Sequence, residues 1–237
     1  SSWADYDAKL ISAGGGIFLR SAKSIAISPQ MKERFDISAD KLAPNELLNA
    51  LLKAPVDLLW NGGIGTYVKS SKESHADVGD KANDLLRVDG RELRAKVVGE
   101  GGNLGMTQLG RVEYGLNGGK SNTDFIDNAG GVDCSDHEVN IKILLGEIVG
   151  AGDMTGKQRN KLLVEMTDAV GGLVLGNNYK QTQALSLAER RARERVGEYK
   201  RLMNALEAAG KLDRALEFLP TDDELNERAA NGLGLTR

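Results

Sequence analysis

Three short apolar segments, each followed directly by glycine and asparagine, constrain this sequence more than any other feature. They are residues 56–60, 96–99 and 125–127. Brief apolar runs that end at turn residues are typical of buried parallel strands. Ligands of open α/β sheets bind beyond the carboxyl ends of such strands. The loops that follow these segments are therefore the first place to look for a site.

Helical patterns accompany these strands. Residues 45–53 are amphipathic, with Pro44 suited to a first helical turn, and residues 107–116 repeat the pattern between the second and third segments. Gly118 and Gly119 would end that second helix. Alternating helices and strands predict an α/β fold with a partial doubly wound, Rossmann-like parallel sheet. We expect residues 1–152 to form this domain.

The remainder, residues 153–237, shows only helical patterns, and we expect a helical C-terminal region there. Thr155 and Gln158 match a capping box, and the helix that they open is predicted to end near Gly176. A second helical pattern covers residues 182–209. A last helix is predicted to begin at Thr221, where three acidic residues follow and favour the positive end of the helix dipole.

Composition excludes several classes of protein. No apolar run approaches the ~18 residues of a membrane span, which predicts a cytoplasmic protein without a membrane partner. A net charge of −3 with 5% aromatic residues argues against a nucleic-acid surface. Cys134, the single cysteine, excludes an internal disulfide or a thiolate zinc cage. The 29 glycines among 237 residues, with 4 prolines, favour turns that a ligand approaches closely.

The three glycine and asparagine loops are residues 61–66, 100–103 and 128–132. Glycine lets a ligand touch backbone, and asparagine offers both a donor and an acceptor. At one sheet edge they would form a single crevice, although each alone could be an ordinary tight turn. The dinucleotide phosphate fingerprint is absent, because the glycines at 99, 101 and 105 have the wrong spacing. If a dinucleotide binds, its pyrophosphate-binding turn is expected outside this chain.

A polar cluster at residues 133–138 leaves several interpretations open. Cys134 and His137 could form an activated thiolate, although no third group orients the histidine. The acidic residues and His137 could ligate a metal, but adjacent helical positions point to different faces, so no metal site is predicted. Ser135 and Glu138 match a capping box at a helix start. That helix start could also attract a ligand carboxylate.

Two of the loops resemble motifs of glutamate dehydrogenases. Glu100-Gly101-Gly102-Asn103 is similar to the Glu-Gly-Ala-Asn loop of that family, and residues 128–132 are similar to its Asn-Ala-Gly-Gly-Val segment. Longer phrases more closely resemble the large NAD-specific bacterial class. These are residues 11–25, 56–69, 94–103 and 126–145. The resemblance covers nearly the whole chain and is weak beyond about residue 155.

The resemblance implies an oxidoreductase that converts L-glutamate to 2-oxoglutarate and ammonia with NAD as the cofactor. By position, Asn103 and Asn128 would contact the nicotinamide ribose and amide, and Gly62 and Gly63 would line the same groove. Val132 would wall the substrate pocket beside the nicotinamide. Ser135 would hydrogen-bond the side-chain carboxylate of the substrate. Asp136 and His137 depart from the small apolar residues of the smaller family members.

The resemblance also implies missing parts. The catalytic lysine and aspartate of the family belong to an upstream domain, and neither Lys23 nor Lys69 lies in the lysine motif. No catalytic residue is therefore assigned, and we expect Ser1 to be a cut end of a larger homo-oligomeric enzyme and the isolated chain to be inactive. Two alternatives are a non-catalytic dinucleotide-binding or regulatory module and a helical interaction scaffold in residues 155–237.

Overall fold

The computed structural model describes residues 5–237. The first four residues of the predicted 1–152 domain, Trp3 among them, lie outside the described residues. Within them the chain is mixed α/β. The strands are β1 (Ile25–Ala26), β2 (Lys41–Leu42), β3 (Leu58–Asn61), β4 (Val68–Lys69), β5 (Val88–Asp89), β6 (Val97–Glu100) and β7 (Lys120–Ser121). The helices are α1 (Pro29–Phe35), α2 (Pro44–Leu52), α3 (His75–Val78), α4 (Gln108–Leu116), α5 (Asp124–Asp127), α6 (Ala129–Gly150), α7 (Gly156–Arg191), α8 (Val196–Ala208) and α9 (Asp222–Ala230).

A three-stranded parallel sheet with the order β3-β6-β7 holds the first two predicted strands. β3 pairs with β6 from Leu58 opposite Val97 to Asn61 opposite Glu100. Two residues of β6 then pair with β7. The parallel arrangement of the first two segments is confirmed, and both reach their carboxyl ends side by side.

Helix α4 connects β6 to β7, as the sequence predicts. Thr107 caps its N-terminus by accepting a hydrogen bond from the Gly110 amide. The chain leaves the helix at Gly118, whose φ of 89° is a left-handed value that glycine adopts without strain. Tyr114 attaches α4 to the segment just before β6, because its buried hydroxyl donates to the Ala95 carbonyl at 2.8 Å.

The connection from β3 to β6 contains no long helix. It forms a second, two-stranded parallel sheet from β4 and β5, with the short helix α3 between them. Apolar side chains from both sheets share one core. Its buried members are Val68, Val88, Leu93, Ala95, Val98, Met106 and Tyr114. A second cluster joins the antiparallel pair of β1 and β2 to α1 and α2. Its buried members are Ile25, Ile27, Met31, Ile37 and Leu47.

The third predicted strand, residues 125–127, is wrong. These residues lie in the short helix α5, which follows Thr123. Asp124 and Asp127 suit the start of a helix, where acidic groups meet the positive end of the dipole. Phe125 is 70% exposed and does not occupy the buried position that a central strand would give it. The third strand of the sheet is instead β7, four residues earlier in the chain.

In residues 153–237 the helical predictions were right about type and wrong about two boundaries. Thr155 and Gln158 form the expected capping box, and Thr221 caps α9. Helix α7 does not end near Gly176 but continues to Arg191. The predicted helix 182–209 is consequently divided between α7 and α8. Packing explains the continuation, because α7 lies along α6 with Val174 buried and Asn177 bonded to Asp133.

The chain divides into two compact units. The first comprises residues up to Ser121 together with Thr236, and the second comprises Asn122–Leu235 together with Arg237. The second unit contains α5 to α9, and its buried cluster is Val196, Met203 and Leu225. The domain division at residues 152 and 153 stays a prediction. No helix in residues 5–237 is both long and apolar enough to cross a membrane.

Candidate functional site

Two of the glycine and asparagine loops leave the sheet at neighbouring positions. Asn61 and Glu100 are register partners at the ends of β3 and β6. Gly62 and Gly63 follow the first strand, and Gly101 and Gly102 follow the second. The first unit therefore brings together the predicted cofactor residues Gly62, Gly63 and Asn103 at one sheet edge.

Direct contacts fasten these two loops together. The Gly102 amide donates to the Asn61 carbonyl at 3.1 Å. The Thr66 hydroxyl donates to the Leu104 carbonyl at 2.7 Å, which attaches the second loop to the first loop just beyond Asn103. Asn103 is exposed between these two attachments. The loops thus form one continuous rim with Asn103 near its tip.

The glycines at 99, 101 and 105, which lack the phosphate-binding spacing, have a structural explanation. A Cβ at Gly99 or Gly101 would lie 2.6 or 2.5 Å from the Trp60 indole. A Cβ at Gly105 would lie 1.9 Å from Asn61 Nδ2. All three glycines therefore make room for side chains of β3.

A buried ion pair lies beneath the second loop. Glu100 is 0% exposed and Arg111 is 6% exposed. Arg111 donates to Glu100 Oε2 from Nε at 3.0 Å and from Nη2 at 2.7 Å. The other carboxylate oxygen of Glu100 accepts the Met106 amide at 2.9 Å. Sequence reasoning did not single out Arg111, although an arginine among the apolar residues of an amphipathic helix was a visible signal.

Asn61 carries the group best placed to meet a ligand. Its Nδ2 atom is buried and has no hydrogen-bond partner among the described residues. A buried amide nitrogen without an acceptor costs free energy, so such a group is a candidate contact for a bound molecule. Asn61 also lines a cavity of about 760 Å³ in the first unit, together with Gly63, Trp60 and leucines of α2. Asn61 was predicted to lie in the first loop, without a role in binding.

The third loop belongs to the second unit. Asn128 was predicted to follow a strand. It instead connects α5 to α6. Its carbonyl accepts the Gly131 amide at 3.1 Å, and its amide donates to the Asp124 carbonyl at 2.7 Å. Asn128 is therefore the residue that precedes the first turn of α6.

Ser135 does not cap a helix, so the predicted capping box is wrong. Helix α6 already begins at Ala129, because the chain enters it directly from α5. Ser135 lies in its second turn, away from the free amides of the N-terminus. Glu138 instead pairs with Lys142 one turn further on. Hydrogen bonding and attraction from Lys142 lower the pKa of Glu138.

Val132 and Ser135 share an exposed face of α6. They are three residues apart, and Val132 is 61% exposed. The opposite face lies against α7, where Asn177 donates to the Asp133 carboxylate at 2.8 Å. The two predicted substrate residues thus lie one turn apart on the side of α6 that the second unit leaves open.

The remaining polar residues of the 133–138 cluster form no composite centre. His137 Nε2 lies 3.4 Å from Asp133 Oδ1, near enough for an ion pair when the imidazole is protonated but outside hydrogen-bond geometry. Cys134 is exposed. In residues 5–237, no group of three or more His, Cys, Asp or Glu side chains could hold a metal ion.

Comparison with known proteins identifies the family of this chain. Residues 1–188 match the family model described as "Bacterial NAD-glutamate dehydrogenase, catalytic domain". The chain belongs to this family. The match contains the loops after β3 and β6 as well as the start of α6, so every predicted cofactor and substrate residue lies within it.

Individual relatives agree with the family match. The chain is 85% identical over 237 residues to a protein of Pseudomonas aeruginosa named NAD-specific glutamate dehydrogenase. Proteins of the same name from Halomonas elongata and Mycobacterium tuberculosis are 65% and 49% identical, respectively. Each alignment covers 100% of this chain and 15% of the relative. The chain therefore spans about 15% of the length of these relatives.

Proposed function

We propose that this chain is a segment of a longer NAD-dependent glutamate dehydrogenase and supplies part of its cofactor and substrate cleft. The reaction converts L-glutamate, NAD and water to 2-oxoglutarate, ammonia and NADH. The observation that carries the proposal is the rim formed by the β3 and β6 loops in a chain that belongs to this family. Beside this rim, Asn61 Nδ2 is buried and has no hydrogen-bond partner in residues 5–237.

The cofactor side of the cleft lies at this rim. NAD, when bound, would supply the acceptor for the hydride that leaves the α-carbon of glutamate. Gly62 and Gly63 expose backbone to the nicotinamide end, and a Cβ at Gly63 would meet nothing within 4 Å, so the surface there is open. Asn103 in the first unit and Asn128 in the second are each proposed as a hydrogen-bonding partner of the nicotinamide ribose or amide, because each matches a motif of the family. The unpartnered Nδ2 of Asn61 fits this group as well, because the cofactor offers carbonyl and hydroxyl acceptors.

The substrate side lies on the exposed face of α6. Ser135 donates a hydrogen bond to the side-chain carboxylate of glutamate, and Val132 provides an apolar wall beside the nicotinamide. Their spacing of one helical turn supports this pairing, because one small ligand can contact both side chains. The catalytic lysine and aspartate are expected in another part of the enzyme.

The finer architecture completes the proposal. The three parallel strands with α4 as a crossover are consistent with the later part of a doubly wound, Rossmann-like sheet. Helices α7 to α9 form the helical C-terminal region, and residues 1–152 form the nucleotide-binding domain. The full enzyme is a cytoplasmic homo-oligomer that binds neither nucleic acid nor membrane.

Steady-state kinetics of the full-length protein test the proposal. We expect glutamate-dependent formation of NADH by that protein and none by residues 1–237 alone. Asn103→Ala should raise the KM for NAD by about tenfold, since it removes a hydrogen bond of about 1.4 kcal/mol. Asn231→Ala, at the exposed end of α9, is the matched control and should leave both kinetic constants unchanged.

Two outcomes would contradict the proposal. Full-length protein that binds NADH but produces none from glutamate would favour a non-catalytic dinucleotide-binding or regulatory module. Saturable glutamate turnover by residues 1–237 alone would show that the chain carries its own catalytic groups.

A further inference from the structure

The ion pair between Glu100 and Arg111 is the most deeply buried charge cluster of the first unit that the proposed reaction does not use. Glu100 is fully buried at the end of β6, and Arg111 reaches it from α4. Both carboxylate oxygens of Glu100 are hydrogen-bonded, since Oε2 accepts two Arg111 donors and Oε1 accepts the Met106 amide. Arg111 Nη1 also donates to Gln108 at 2.6 Å.

Burial of such a pair carries a large desolvation penalty. Removal of two charges from water costs several kcal/mol per ion, and apolar residues of similar size often replace such pairs without loss of stability. A buried pair is therefore weak evidence for a role in stability alone. It does fix geometry, because charge-assisted hydrogen bonds from two guanidinium nitrogens to one carboxylate oxygen form only in a narrow range of distances and angles.

The geometry that the pair fixes is that of the Asn103 loop. Glu100 begins the loop and accepts the amide of Met106, where the loop ends. The carboxylate therefore closes residues 100–106 across their base. Above that closure, the loop is attached to its neighbour through the Gly102 amide and the Leu104 carbonyl, on either side of Asn103.

We propose that the Glu100–Arg111 pair fixes the conformation of the loop and thereby holds Asn103 in position to hydrogen-bond the nicotinamide end of the dinucleotide. This inference rests on the proposed function. Glu100 and Arg111 are positioning residues, because neither touches the cofactor and both act through the loop. The affinity for the dinucleotide, more than the chemical step, depends on the pair.

A double-mutant cycle in the full-length protein tests the inference. Glu100→Gln keeps the shape of the side chain but sets an amide donor against either the Arg111 guanidinium or the Met106 amide, so one of these contacts is lost. We expect Glu100→Gln to weaken NADH binding by about tenfold, or about 1.4 kcal/mol. The kcat at saturating NAD should change by less than about threefold. The double variant of Glu100→Gln and Asn103→Ala should bind NADH no more weakly than Asn103→Ala alone. The reason is that both substitutions remove the same contact, the one between Asn103 and the dinucleotide.

Two further variants separate positioning from general stability. Arg111→Lys retains a positive charge near Glu100, so it should bind NADH more tightly than Arg111→Met. Arg214→Lys alters another buried arginine, which bonds Asp222 at 2.8 Å in the second unit. This matched control should lower the melting temperature without changing NADH affinity. Hydrogen exchange of the amides in residues 101–106 should quicken in Glu100→Gln and not in Arg214→Lys.

Additive losses in the cycle, or unchanged NADH affinity in Glu100→Gln, would overturn the inference. If Glu100→Gln does not fold, the Arg111→Lys and Arg111→Met comparison decides, and equal affinities of these two variants would overturn it. The proposed function fails separately, when wild-type full-length protein neither binds NADH nor oxidises glutamate. Normal wild-type binding together with unaltered binding in the variants would remove only the positioning role.

Discussion

Gly63 and Gly102 meet backbone to backbone at the carboxyl edge of the parallel sheet. A Cβ on Gly102 would lie 2.1 Å from the Gly63 carbonyl oxygen. A side chain at residue 102 would therefore collide with the backbone of the neighbouring loop. The rim beside Asn103 therefore depends on the absence of a side chain at residue 102, independently of any ligand.

Gly102→Ala should destabilise the chain more than Gly101→Ala. At residue 102 the new methyl meets backbone, so the loops must separate, and we expect a loss of about 1–3 kcal/mol in the free energy of unfolding. At residue 101 the methyl meets the Trp60 indole at 2.5 Å, and this side chain is 59% exposed and can rotate away. Denaturant unfolding measures both variants. Tryptophan emission should change in Gly101→Ala, and equal stability of the two variants would contradict the argument.

Gly176→Ala should stabilise the chain. Gly176 lies inside α7, and a Cβ there would meet nothing within 4 Å. Alanine loses less backbone entropy than glycine in a helix, so we expect a gain of about 0.5–1 kcal/mol. Gly152→Ala is the matched control, because Gly152 has equally open space but a φ of 84°. Thermal unfolding should show a higher midpoint for the first variant and a lower one for the second.

The same glycine shows why one helix boundary escaped the sequence. Gly176 predicts a helix end by local preference, yet α7 continues for fifteen further residues to Arg191. The reason is packing against α6, which involves Val174 and the Asn177–Asp133 hydrogen bond. Such contacts join residues distant in sequence, and local propensity carries no information about them.

The strands show the complementary case. Residues 56–60 were recognisable because four of the five are apolar and run directly into turn residues, and residues 96–99 because Val97 and Val98 run directly into a glycine-rich turn. Residues 125–127 offered only three positions, too few to separate a strand from a helical turn. Because of that error, Asn128 was predicted at a strand end, whereas it precedes a helix. Ser135 was predicted at a helix start, whereas it lies in a second turn. The motif resemblance identified the family correctly, but it did not predict the local structure at Asn128 and Ser135.

Ser135→Ala should impair glutamate binding in the full-length protein. Loss of a hydrogen bond to a carboxylate costs about 1.5–3 kcal/mol, so we expect the KM for glutamate to rise by at least about tenfold. The KM for NAD should not change. Cys134→Ser is the control, because Cys134 is exposed on the same helix but about 100° away around its axis. An equal rise in both variants would show that the helix was perturbed and the serine carries no substrate contact.

Glu113→Gln should make stability less dependent on pH. Burial tends to raise the pKa of Glu113, but hydrogen bonds from the Ser71 hydroxyl and from the amides of Ser71 and Arg91 outweigh it, so the pKa lies below its ordinary value. A carboxyl whose pKa is lower in the folded state stabilises the fold above its unfolded pKa of about 4.3. That contribution is lost as the pH falls through the folded pKa.

We therefore expect Glu113→Gln to lower the free energy of unfolding by about 1–2 kcal/mol at pH 7, where the wild-type carboxylate is ionised. The difference between the two proteins should shrink below about pH 4 as the wild-type Glu113 becomes protonated. Denaturant unfolding between pH 3 and pH 7 measures it. Glu138→Gln is the control, because its exposed pair with Lys142 should contribute little at any pH. A wild-type advantage over Glu113→Gln that persists unchanged at pH 3 would show that the charge of Glu113 does not anchor α4 to the Ser71 loop.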